Sequence, residues 1–141
     1  MIRIKRVYTP PDRADGARIL VDRVWPRGLN KTAARIDEWR WDFAPTAALH
    51  KWFRHDPKKW DDFQRRYRQE LKTRGKLDAL QELAKRARRE RITLLFAAQD
   101  EEHNNAVVLR ELLGELLGST PGGLAAANFG RNATKKNPRE K

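Results

Sequence analysis

The chain has 141 residues, a formal net charge of +12 and no cysteine. Such a length suits one domain with a real hydrophobic core. The lack of Cys excludes disulfides, thiolate nucleophiles and Cys-ligated metal centres, and three scattered histidines leave little for a dedicated metal cage; neither a metal nor a cofactor is expected.

In chain order, "IRIKRVY" sets Ile2, Ile4 and Val7 against Arg3, Lys5 and Arg6, a period-2 pattern that predicts a strand. This segment has no continuous apolar run of the kind that opens a signal peptide. "TPPDRADG" reads as a loop, with Asp15-Gly16 as a turn signal. "ARILVDRVW" predicts a second strand over 18–24, centred on Ile19, Leu20 and Val21 and ended by Pro26. Thr46 caps a helix over "AALHKWF", and Asp56-Pro57 starts another over "KKWDDFQRRYRQEL", whose Trp60, Phe63, Tyr67 and Leu71 form one apolar stripe. After Gly75, "KLDALQELAKRARRER" repeats the helical pattern through Leu77, Leu80, Leu83, Ala84 and Ala87. "ITLLFAA" at 92–98 predicts a third, buried strand and is too short to span a bilayer. A last helix is expected from Glu101 to about Leu117, capped by Asp100.

Strands separated by helical segments predict an α/β fold: a single compact layered domain over residues 1–118, with a small, partly parallel sheet flanked by helices. Residues 119–141 read as a poorly ordered basic tail, since their last eleven carry five basic side chains against one Glu. A soluble cytoplasmic protein without membrane contact is expected.

Three stretches, "DGARILVDRVWPRGLNK", "WRWDFAPTAALHKWFRHDPKKWDDFQRRYRQEL" and "ITLLFAAQDEEHNNAVVL", closely resemble the DUF488 family of small bacterial proteins, in particular its YeaO-like branch, over roughly residues 1–117. The resemblance implies a compact α/β fold and no established reaction. Family-typical positions are Asp22, Arg23, Trp25, Pro26, Arg27 and Gly28 in the first motif, then Trp39, Ala44, Pro45, Trp52, Phe53, His55, Trp60, Phe63, Tyr67 and Glu70, and finally Asp100, His103, Asn104 and Ala106. Cysteines that another branch carries near the last strand are absent here, so thiol chemistry is excluded.

Ligands of open α/β sheets bind beyond the carboxyl ends of the strands, which selects Asp22 to Gly28 and Gln99 to Asn104. In the first stretch, the guanidiniums of Arg23 and Arg27 beside Trp25 and a permissive Gly28 have the forked donors that clamp a phosphate or carboxylate. The competing reading is a loop pinned by Arg23 on Asp22, Asp37 or Asp42. In the second stretch, His103 and Asn104 are expected in the first turn of the last helix, with Asp100 or Glu102 placed to orient His103 for acid/base work. Asp22, Asp37 and His55 are expected behind these ligand contacts. Catalysis stays open, because no Ser, Thr or Cys stands at a nucleophile elbow. The expected partner is a small anionic ligand. Two alternatives are a nucleic-acid-associated accessory protein, using basic helices and tail for nonspecific binding at low salt, and a structural or interaction module.

Overall fold

A computed structural model describes residues 2–118. Four strands, β1 (Ile2–Arg6), β2 (Ala17–Leu20), β3 (Glu38–Trp39) and β4 (Ile92–Phe96), form one sheet in the order β1-β4-β2-β3, and every pair is parallel. Five helices accompany it: α1 (Lys31–Ala34), α2 (Ala47–Phe53), α3 (Trp60–Thr73), α4 (Leu77–Arg86) and α5 (Asn105–Leu117). The chain is thus a single α/β domain over the described residues, its sheet wholly parallel. The tail expected over 119–141 lies outside them.

The strand period divides the core in two. Ile19, Val21, Leu94 and Phe96 point to the face covered by α2 to α5, where Phe53, Phe63, Tyr67, Leu80 and Leu112 meet them. Leu20 and Leu95 point the other way and join Val7, Ala34 and Ile36. Successive side chains of a strand alternate faces, so Val7 belongs with this second cluster and not with Ile2 and Ile4. The α3 stripe buries Phe63, Tyr67 and Leu71, with Trp60 half-buried at its start. Thr46 caps α2 by accepting the Leu49 N–H at 3.2 Å. Asp56 caps a short 3-10 turn at Pro57–Lys59 that feeds α3.

Three expectations need correction. Strand β2 ends at Leu20 instead of running to Val24. Val21 still donates to Leu95, but at Asp22 the side chain takes over, accepting the Ala97 N–H at 2.9 Å and ending the ladder. The third predicted strand likewise stops at Phe96, two residues early. Helix α5 starts at Asn105, capped by Asn104, which accepts the Val107 N–H; Asp100 instead closes a turn by accepting the Glu102 and His103 N–H groups.

One charged pair sits inside. Arg18 and Asp15 are both fully buried and pair at 2.6 Å, with the Arg18 guanidinium also donating to the Ala34 carbonyl. Burial alone would raise the Asp15 carboxyl, yet the Asp12 N–H and the Lys5 and Arg18 side chains outweigh it and hold the group below the usual carboxylate range.

Candidate functional site

Because all strands run parallel, the carboxyl ends of β2 and β4 open on the same side. A cleft of about 550 Å³ lies there. The segment after β2 supplies Asp22 to Arg27, the end of β4 supplies Ala97 and Ala98, and the start of α5 supplies Asn104 and Asn105. Pro45, Ala47, His50, Phe53, His55 and Phe63 form the opposite wall, and Tyr8 enters from the end of β1.

Backbone contacts hold these walls. The Tyr67 hydroxyl donates to the Phe43 carbonyl, Arg74 donates to the Asp42 and Ala44 carbonyls, and Glu70 accepts from the Thr46 N–H and hydroxyl. Helix α3 thereby fixes the segment that leads into α2, which gives the family-typical Tyr67 and Glu70 a structural role. Arg6 does the same for the end of β4, donating to the Ala97 and Ala98 carbonyls.

The 22–29 segment is anchored without its arginines. The Trp39 indole donates to the Asp22 carbonyl at 2.8 Å, the Trp25 indole to the Leu29 carbonyl at 3.0 Å, and the Tyr8 hydroxyl to the Arg27 carbonyl at 3.0 Å. Trp25 and Trp39 also meet edge to face, 5.3 Å between centroids. Gly28 turns the chain after Arg27 with φ +73°, a left-handed conformation that costs glycine little. It does not itself line the cleft.

Both Arg23 and Arg27 are exposed at the rim. Among the described residues neither guanidinium has a hydrogen-bond or ion-pair partner, whereas Arg40 takes Asp42 at 3.0 Å and Asp37 accepts the Arg18 N–H at 2.8 Å. The pinned-loop reading of Arg23 therefore fails: each acid it invoked has another partner. Asp37 stands at the Arg18 backbone, away from the cleft.

Asp22 joins the two motifs. Besides the Ala97 N–H, its carboxylate accepts the Asn105 amide at 3.2 Å, and that amide also donates to the Val21 carbonyl at 2.8 Å. Burial pushes the Asp22 carboxyl above the usual range, against the Ala97 and Asn105 bonds and the His50 and His55 imidazoles that favour its charge. His50 and His55 lie edge to face, 5.6 Å between centroids. Partial desolvation and His55 hold His50 below the usual histidine value, opposed by Asp22.

His103 does not line the cleft. Its Nδ1 lies 2.9 Å from Asp100, and its ring packs edge-on to Trp60 at 5.1 Å. The Glu102 N–H and the His103 side chain hold the Asp100 carboxyl below its usual range. Asp100 and His103 thus pair as expected but outside the cleft. His50 and Asn105, which the sequence reading did not select, take that place. Asn105 follows the cap residue directly, so correct placement of the α5 start would have pointed to it; for His50 no local signal exists.

Part of the basic charge on the helical stretches is matched by carboxylates within the fold. Arg68 pairs with Glu111 and Glu115, Arg86 with Glu38 and Glu90, Lys85 with Glu82, and Arg65 with Asp62.

Comparisons with known proteins agree on one family. Residues 1–128 match the model described as the inactive DUF488-N3 subclade. The uncharacterised protein YeaO of Escherichia coli is 39% identical over 118 residues, 82% of this chain and 98% of its own length. The uncharacterised protein Rv3073c of Mycobacterium tuberculosis is 39% identical over 112 residues, 79% of this chain and 92% of its own. No solved structure matches the chain.

Proposed function

We infer that this chain, which belongs to the DUF488 family and matches its subclade described as inactive, is a ligand-binding domain. The reading is recognition of a small anionic ligand, bearing a phosphate or carboxylate, in the cleft at the carboxyl edge of the sheet. Arg23 and Arg27 grip the anion, Trp25 and Asn104 shape the site, and Asp22 and Asn105 hold its two halves together.

The observation that carries this reading is the pair of unpartnered guanidiniums on the rim. The fold anchors their segment through Asp22, Trp25, Trp39 and Tyr8. Among the described residues the arginines, with five donors each, meet no acceptor, as an anion clamp requires before its ligand arrives. The start of α5 adds a favourable backbone dipole at the same edge. A cytoplasmic setting is part of the same proposal.

The test is calorimetric titration of inorganic phosphate into the parent protein and into Arg23→Gln, Arg27→Gln and the double variant. Saturable binding that weakens in each single variant and vanishes in the double is expected; equal binding by all four proteins overturns the reading. Nonspecific nucleic-acid contact through the basic helices has less support, because Arg68 and Arg86 are already paired with carboxylates.

A further inference from the structure

We propose that the ligand is an organic anion with an apolar, ring-sized body rather than a bare inorganic anion; the inference rests on the anion reading and names the class of molecule the same cleft takes. Its first support is size. A cleft of about 550 Å³ falls in the range that holds a cofactor-sized organic molecule, of order 300–1,000 Å³, and far exceeds what one phosphate group fills.

The second support is the distribution of polarity. Arg23 and Arg27 stand on one stretch of the rim, while Trp25, Ala47, Ala97 and Ala98 line the cleft with apolar surface that the fold leaves at least partly accessible. An inorganic anion held by the arginines would leave those surfaces wet and unused. A molecule with an anionic head and an apolar body satisfies both at once.

The third support is an exposure that the fold does not need. Val24 is 73% exposed and Tyr8 45%, and both face the cleft from its mouth. Val24 sits between the two arginines' backbone positions, so a head group gripped by the guanidiniums brings the adjoining body against its side chain. Single exposed apolar residues are ordinary; two at the mouth of one cleft, beside unpaired cations, form a continuous binding surface with the floor.

Phenyl phosphate, inorganic phosphate and phenol are the probes, titrated calorimetrically into the full chain, the parent protein compared with Val24→Ser and Arg27→Gln. Burial of most of a phenyl ring predicts that phenyl phosphate binds about tenfold or more tightly than phosphate. Val24→Ser should reduce that ratio about threefold by removing apolar contact, with phosphate binding unchanged. Arg27→Gln should weaken both phosphates alike. Equal affinities for phenyl phosphate and phosphate, both sensitive to Arg27, would overturn the ligand class and leave the anion reading standing. Phenol binding as well as phenyl phosphate, or no binding of any probe, would overturn both. Because Val24 is exposed and bonded to nothing, its replacement does not threaten the fold, and circular dichroism of the variant confirms that it is intact.

Discussion

Replacing Asp22 by Ala tests whether the two motifs are physically joined. The change strips the acceptor from the Ala97 N–H and from the Asn105 amide. Bonds to a charged acceptor contribute about 1.5–3 kcal/mol each, and a donor stranded by the loss of its partner costs about 1–3 kcal/mol. Against these stands the release of a carboxylate whose charge burial disfavours. Since Asn105 keeps the Val21 carbonyl as an alternative acceptor, the Ala97 N–H dominates, and the net loss is about 2 kcal/mol. For a domain of this size that lowers Tm by roughly 6–12 °C. Thermal and urea unfolding followed by circular dichroism measures it. The pH dependence has a definite sign as well. A carboxyl raised above its unfolded value stabilises fully below the ordinary Asp range and loses that contribution as pH rises through the folded value, so the gap between parent and variant narrows toward neutral pH. A loss below about 0.5 kcal/mol, the scale of an ordinary surface change, or a gap that widens with rising pH, would refute this account of the joint.

Asp15→Ala leaves the fully buried Arg18 without its carboxylate and should cost about 3–5 kcal/mol in urea unfolding, since a broken buried pair strands a charge. Because the Asp15 carboxyl is held below its unfolded value, its contribution is present above the ordinary Asp range and lost as pH falls through the folded value, so the variant should lack part of the parent's acid unfolding. Gly16→Ala places a Cβ 2.3 Å from the Arg91 carbonyl oxygen at φ +67°, which should destabilise by about 1–3 kcal/mol in the same assay. Arg27→Lys should leave the unfolding free energy within about 0.5 kcal/mol of the parent's, because no acceptor among the described residues depends on the fork, while weakening phosphate in calorimetry. Sulfate, whose charge is constant over this range, should bind more tightly as pH falls below the ordinary histidine value, because protonation of His50 adds a cation to the cleft; His50→Gln should weaken that dependence.

What the sequence made legible followed local rules. Alternation marked β1, an unbroken apolar run marked β4, and the Thr46 and Asp56 caps marked the helix starts before α2 and α3, because each depends on neighbours along the chain. What it concealed depends on tertiary contacts. Strand β3 has only Glu38 and Trp39, too short for any period, and exists because Asp37 and Arg40 donate to the Arg18 and Leu20 carbonyls. The end of β2 was hidden because "VDRVW" remains strand-like until Asp22 captures the Ala97 N–H from a distant element. Asp100 and Asn104 are both good caps, and packing chose the second. Arg18 and Asp15 look like surface charges until each is seen to be the other's partner. At the cleft, the first motif was readable from the rule about carboxyl ends. The wall bearing His50 was not, since α3 delivers it through Tyr67, Glu70 and Arg74.

The central claim, that the carboxyl-edge cleft grips an organic anion through Arg23 and Arg27, is tested most directly by mapping amide NMR shifts during a phenyl phosphate titration. Saturable changes concentrated at 22–28, 97–98 and 104–105, and absent in the Arg23→Gln, Arg27→Gln double variant, are the expected result. Changes spread over the basic faces of α3 and α4, or a map that the double variant leaves unaltered, would contradict it.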